Sequence, residues 1–181
     1  MMPESIQLYF VLGAPGSGKT TISRNLSTRN PQISHYSMGD LLRKRKELAK
    51  TLENSQYAPT AIIQEIMEEI FRNPKNPIML MDGFPRNEEQ LLLFEQMESR
   101  KFLTKVIEIE VEEEISLQRL HKRNERIEDL DLKKNQNRLQ EYYKEIEKIR
   151  TFYQNQRIFE QMNGNADIET VADALEKQIF G

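Results

Sequence analysis

The chain has 181 residues, of which 38% are hydrophobic and 30% charged, with a formal net charge of −3 and a sequence pI near 5.6. That length fits one domain, which on folding buries roughly 70% of the surface its unfolded chain exposes, and the mild acidity excludes a general polyanion binder such as a nucleic-acid coat. Any anion site must be local. The absence of cysteine excludes disulfides and thiolate zinc sites, and with only two histidines, His35 and His121, a structural metal is not expected. No apolar run approaches the roughly 18 residues of a membrane span, and the opening "MMPESIQLYF" lacks the basic region and long apolar core of a secretory signal. A cytoplasmic protein is expected.

The first predicted strand is "IQLYFVLG", Ile6 to Gly13, and "GAPGSGKTT", Gly13 to Thr21, follows it directly. That stretch fits G-x-x-x-x-G-K-[ST], in which glycines let successive backbone N–H groups turn inward around a phosphate while the following helix N-terminus adds partial positive charge. Lys19 would then sit against the outer phosphates, and Thr20 would offer its hydroxyl to Mg²⁺. The plainer reading is a Gly-rich strand-to-helix turn, which the full match and the helix-like "TTISRNL" disfavour.

In "HYSMGDLLR", His35 to Arg43, Gly39-Asp40 reads as a helix start with Arg43 one turn in. Asp40 is expected as a cap before a catalyst, His35 as structural, and Arg43-Lys44-Arg45-Lys46 mostly as a solvated face. Ile62, Ile63, Ile66, Met67 and Ile70 then mark one apolar stripe of a helix. "IMLMD", Ile78 to Asp82, is a second strand, and "MDGFPRNEEQ" continues from it. Asp82, ending a strand, suits an acid that orders Mg²⁺-bound water near a nucleotide, or one that caps the next turn. Arg86 presents a planar donor fork suited to phosphate, or pairs with Glu88 or Glu89 at the surface. Gln90, taken alone, reads as the N3 partner of an Asn87 N-cap.

A third strand is expected in "VIEIEV", Val106 to Val111, and a weaker fourth in "RIFEQM", Arg157 to Met162. Arg119, Arg123 and Arg126 share one helical stripe if the helix continues, although acidic Glu112 to Glu114 and the basic end also suit a solvated helix. Two further stripes are Leu139, Tyr142, Ile146, Ile149, Tyr153 and Ile168, Val171, Ala172, Leu175, Ile179. Strands alternating with helices predict a parallel sheet covered on both faces, with ligands beyond the strands' carboxyl ends.

In this order and spacing "GAPGSGKTT", "HYSMGDLLR", "MDGFPRNEEQ" and "RLHKR", continued by "RLQEYYKEIEKIRTFY", resemble the adenylate kinase branch of the nucleoside monophosphate kinases over essentially the whole chain. The resemblance implies a single α/β domain, residues 1–181, of P-loop NTPase type. Its three layers are a central parallel five-stranded sheet with helices on both faces, carrying an acceptor-binding segment at about 37–67 and a short lid at about 124–137. It implies Mg²⁺-dependent phosphoryl transfer from ATP to a nucleoside monophosphate by a monomer, with no nucleic-acid or membrane partner. Gly13, Pro15, Gly16, Ser17, Gly18, Lys19, Thr20 and Thr21 would hold ATP, with Arg119 and Arg123 on its far side. Met38, Arg43, Gln56, Tyr57, Ala58, Gly83, Phe84, Pro85, Arg86 and Gln90 would border the acceptor. Arg138 and Arg126 would clasp the transferring group, and Thr20 and Asp82 would serve the metal.

Three departures from the family pattern are visible. Thr20 stands where the family usually has Gly, so a different Mg²⁺ contact is expected. Met38 stands where adenylate kinases usually have Thr, and "NERIEDLDLKK" lacks the usual Gly before Arg126 and holds one extra residue before Arg138. Gln90, which supplies a donor and an acceptor together, argues for adenine and outweighs Asn87 and Met38, which argue for UMP or CMP, so AMP is the expected acceptor, giving ATP + AMP to 2 ADP. Outside the family, a small-molecule alcohol kinase would need a carboxylate base, with Asp40 the candidate, and a non-catalytic nucleotide-binding regulator would bind ATP without turnover.

Overall fold

A computed structural model describes residues 5–45, 57–123 and 131–181. Five parallel strands form one sheet in the order β2-β3-β1-β4-β5: β1 (Gln7–Leu12), β2 (Ile33–Ser37), β3 (Ile78–Asp82), β4 (Leu103–Glu110) and β5 (Phe159–Asn163). Strand β1 lies between β3 and β4, so the chain leaves it at the point where strand order reverses, the position where open α/β sheets bind ligands. The helices are α1 (Lys19–Arg29), α2 (Met38–Arg43), α3 (Thr60–Arg72), α4 (Glu88–Glu95), α5 (Glu113–Arg123), α6 (Leu132–Asn155) and α7 (Ile168–Phe180).

Side-chain alternation along the strands sorts the core into two layers. Leu8, Phe10, Leu12, Met79 and Met81 meet the apolar faces of α3, α4 and α6, where Ile63, Ile66, Phe94, Ile149 and Tyr153 are buried. Phe10 packs edge-on against Phe84, Phe94 and Tyr153, with ring centroids 5.4, 4.8 and 6.4 Å away, a geometry that sets ring edges against ring faces. The opposite layer joins Tyr9, Val11, Leu80, Ile107 and Ile109 to Ile22 and Leu26 of α1 and to Val171, Ala172, Leu175 and Ile179 of α7. All three stripes read from the sequence face this core.

Two sequence expectations are corrected. Strand β2 went unread because "ISHYS" fully buries only its two ends, Ile33 and Ser37; it earns its place through pairing with β3. The helix after it does not start at Gly39-Asp40. Ser37 is the N-cap, its side chain accepting from the Asp40 N–H at 3.4 Å, so Asp40 sits in the first turn. The segments expected at 37–67 and 124–137 are described only in part: residues 46–56 and 124–130, with Gln56 and Arg126, lie outside the described residues, while Asp131 caps α6 by accepting from the Lys134 N–H at 3.1 Å.

Helix α6 is tied to the sheet by one buried carboxylate. Glu108 of β4, 2% exposed, accepts from the Tyr142 hydroxyl at 2.7 Å and the Gln161 amide at 3.2 Å. The Arg150 guanidinium adds bonds at 3.0 to 3.2 Å. Burial, with Glu108 alongside, pushes the Tyr142 hydroxyl well above its usual pKa, so it stays a donor. A buried charge in a sheet is tolerable only when its lone pairs are satisfied this fully. Glu108→Ala is expected to cost about 3 kcal/mol of stability by stranding Arg150. A urea denaturation midpoint unchanged from wild type would show that the cluster holds nothing.

Candidate active site

The loop from β1 into α1 turns on Gly16 and Gly18, both left-handed with φ of 85°. Gly18 is the N-cap of α1, and a Cβ at Gly16 would collide with the Ser116 carbonyl of α5. Glycine is therefore dictated at both places, by conformation and by close approach. The loop closes on itself through the Ser17 N–H, which donates to the Ala14 carbonyl at 3.0 Å. Lys19 curls back over it and donates to the same carbonyl at 3.3 Å.

The register of β1 on β3 places Val11 opposite Asp82, which brings the carboxyl end of β3 beside the first turn of α1. Asp82, 2% exposed, accepts from the Thr20 hydroxyl at 3.0 Å. Its other oxygen lies 2.5 Å from His35 Nε2. His35 was read as structural from the sequence; the structure makes it the second partner of Asp82. The signal lay in strand register, since His35 pairs with Leu80 and so shares a face with Asp82 two residues on.

Beyond this carboxylate opens a cleft lined by Gly13, Pro15, Gly16, Lys19, Thr20 and Asp82 on one side. Arg43, Tyr57, Gly83, Pro85, Arg86, Arg138 and Glu141 line the other. Gly83 is left-handed with φ of 74°, and the Phe84–Pro85 peptide is cis. Arg43 pairs with Asp40 of its own helix. Arg138 donates to Asn135 at 3.4 Å. The Arg86 guanidinium lies 5.9 Å from the centroid of the Tyr57 ring. Its solvent-facing surface opens on the cleft, while depth among protein atoms pushes its pKa down. Arg138 and Arg43 push the same way, against Tyr57 and Glu141. The surface acids suspected as partners for Arg86 are engaged elsewhere, Glu88 with Lys148 at 2.8 Å and Glu89 with Thr60 at 3.5 Å.

A family model described as adenylate kinase matches residues 11–158. The adenylate kinase of Campylobacter lari is 33% identical over 96% of this chain and 96% of its own length. That of Wolinella succinogenes is 32% identical over 94% and 95%, and that of Helicobacter pylori strain Shi470 is 30% identical over 96% and 97%. The chain belongs to the adenylate kinase family.

Within this adenylate kinase fold, several residues expected at the site are buried or already hydrogen-bonded within the protein. Met38, Ala58 and Phe84 are buried in the core. Gln90, 2% exposed, accepts from the Arg86 N–H through Oε1 at 2.9 Å while its own N–H donates to the Asn87 side chain at 2.9 Å. The capping role read from the sequence is thus present, with the glutamine reaching Arg86 and not the N-cap residue itself. Arg119 is also heavily engaged. It donates to the carbonyls of Ser17 and Gly164 at 3.3 and 3.1 Å, and to those of Asn165 and Ala166 at 3.5 and 3.1 Å, stapling α5 to the phosphate loop and to the turn after β5. Arg123 ends α5. Ser17 is fully buried and Thr21 exposed on α1.

Oxygen atoms dominate the corner between Asp82 and Thr20. An aspartate carboxylate and a threonine hydroxyl within 3.0 Å are hard ligands of the kind that share Mg²⁺ with water and phosphate. Among the described residues no cluster of three or more His, Cys, Asp or Glu side chains is arranged to hold a metal alone. Among the described residues, too, no helix is long and apolar enough to cross a membrane.

Lys19 is the cation that the phosphate loop itself carries, on the first residue of α1. Lys19→Met is expected to keep the melting temperature within a few degrees and lower kcat by at least about a hundredfold, the scale seen when one preorganised charge-stabilising donor is lost. Steady-state kinetics beside a thermal melt decides it; a folded variant with near-normal kcat would contradict the placement.

Proposed function

We propose that the protein catalyses ATP + AMP to 2 ADP, reversibly and with Mg²⁺, with the phosphate loop as the ATP site and Arg43 and Arg86 as the acceptor clamp. The observation that carries this reading is one cleft with an anion cradle on each side, Lys19 and the loop N–H groups facing Arg43, Arg86 and Arg138. A phosphate monoester oxygen is already anionic near neutral pH, so its attack on the γ-phosphorus needs no general base. Positioning and charge neutralisation suffice. As the new P–O bond forms, the bond from the γ-phosphorus to the β–γ bridging oxygen breaks. Lys19 and Arg138, which both line the cleft, would stabilise charge on the group in transit. Thr20 and Asp82 would hold the ion, which when bound neutralises charge on the β- and γ-phosphate oxygens.

In this reading Arg119 works partly through the loop it staples; by the family resemblance Arg123 would serve ATP and Arg126 would join Arg138 on the transferring group. The enzyme acts as a cytoplasmic monomer on two nucleotides, with no part for nucleic acid or membrane. The decisive assay measures products from Mg-ATP with AMP, UMP, CMP and GMP; AMP is expected to give the highest kcat/KM. An alcohol kinase is disfavoured because Asp40, its candidate base, is committed to Arg43 and Arg24.

Arg86→Ala is expected to lower kcat/KM for AMP by about 30-fold or more, since truncating one partner of a desolvated charged pair costs about 2–5 kcal/mol. ATP affinity should stay near wild type, and a titration placing the main loss on ATP would move Arg86 out of the acceptor site.

Adenine recognition is assigned to the amide of Gln90. Because Oε1 already accepts from the Arg86 N–H, the amide N–H₂ is the half with most freedom to meet a base. Gln90→Glu keeps the oxygen that supports Arg86 and removes that donor. It is expected to cut kcat/KM for AMP about tenfold or more, beyond what the buried carboxylate costs in thermal stability, because a site built to hydrogen-bond a substrate discriminates through groups left unpaired. If the AMP to UMP ratio is unchanged, Gln90 is a cap and nothing more.

A further inference from the structure

We propose that the Tyr57 side chain is a positioning residue for the acceptor clamp, acting through Arg86; this rests on the reading of Arg86 as the group that takes the acceptor's phosphate. The Arg86 guanidinium carbon lies 5.9 Å from the Tyr57 ring centroid, and both residues line the cleft with Arg43, Arg138 and Glu141. The three guanidiniums need restraint against mutual repulsion, and they differ in how they get it. Arg43 is held by a carboxylate, Asp40, and Arg138 donates to the amide oxygen of Asn135. Both of those partners accept in-plane N–H donors. An aromatic face attracts the cation without accepting any of them. Tyr57 therefore restrains Arg86 while leaving its donor fork for a phosphate.

The platform is itself anchored. Ala58 is 6% exposed and packs in the core, and Pro59 follows as the N-cap of α3 with φ of −55°, so the backbone before α3 is pinned next to the tyrosine. The Arg86 side is equally fixed, its N–H donating to Gln90. Burial raises the Tyr57 hydroxyl's pKa, with Glu141 nearby adding to the effect, which keeps the ring neutral over the working pH range. The ring, and not the hydroxyl, is the working part.

The test compares Tyr57→Leu, Tyr57→Phe, Arg86→Ala and the Tyr57→Leu/Arg86→Ala double variant by steady-state kinetics with AMP and Mg-ATP, each with a thermal melt. Tyr57→Leu is expected to raise the AMP KM about fivefold, the size of one partly desolvated cation–π contact, with ATP KM and melting temperature unchanged. Tyr57→Phe should restore the AMP KM to within twofold of wild type. In the Arg86→Ala background Tyr57→Leu should add nothing, a coupling that a merely structural tyrosine would not show. An unchanged AMP KM in Tyr57→Leu overturns the proposal, as do a Phe variant as impaired as Leu, an equal shift in ATP KM, or losses that multiply in the double variant. Should Tyr57→Leu not fold, Tyr57→Met takes its place under the same criteria. If Arg86→Ala itself leaves the AMP KM unchanged, the acceptor assignment falls and the proposal with it; an effect of Arg86→Ala without one of Tyr57→Leu removes the proposal alone.

Discussion

The site is organised around the carboxylate of Asp82. At 2% exposure an ionised group is stable only if its oxygens are hydrogen-bonded, and its partners come from different parts of the chain: Thr20 on α1 and His35 on β2. Satisfying one buried charge thus draws together the phosphate loop, the end of β3 and the strand that leads into the Arg43 helix. Parallel pairing makes this arrangement affordable in distance, because Val11, Asp82 and Ser37 stand abreast across three adjacent strands. Both halves of the cleft are consequently referenced to one point.

Charge distribution across the cleft follows a similar economy. The protein as a whole is slightly acidic, so its nucleotide affinity has to come from local concentration of cations. Three guanidiniums facing one cleft would repel one another in a region of reduced dielectric. Each has a partner within the protein: Asp40 for Arg43, Asn135 for Arg138 and the Tyr57 ring for Arg86. The contacts of Arg43 and Arg138 are weaker than a dianionic phosphate held by several donors, so substrate competes for their N–H groups, while the ring beside Arg86 takes up none; the arrangement is preorganised without being closed.

Much of this was legible in the sequence where residues act locally. The phosphate loop is a backbone motif, and its glycines announce the left-handed turns at Gly16 and Gly18. The helices showed as apolar stripes because each buries one face against the sheet. Legibility failed where partners are distant. Strand β2 has too little apolar alternation to be seen until β3 is beside it, and His35 looked idle because its partner is 47 positions away. The cap lies three positions before Asp40, at Ser37, which ends the strand that apolar alternation does not reveal. The capping position of Gln90 was legible, but its commitment was not: its carbonyl serves the Arg86 N–H, four positions back.

The last link runs through Glu108. Helix α6 has 24 residues and so spans about 36 Å, far more than the cleft requires. Tyr142 and Arg150 grip Glu108 two turns apart along it, and Arg138 lies one turn before Tyr142, so its side chain falls on the same stripe as the anchored tyrosine. A single fixed point would let the helix pivot; bonds at two levels fix its rotation and slide as well. With the helix set that way, the register of Arg138 is decided by sequence spacing alone, four residues ahead of the first anchor. The composition of 131–138 matters for how the preceding segment joins, while the guanidinium's place in the cleft depends on β4. A buried ion pair, which contributes little net stability in most settings, here converts the rigidity of the sheet into the position of a cleft-lining arginine.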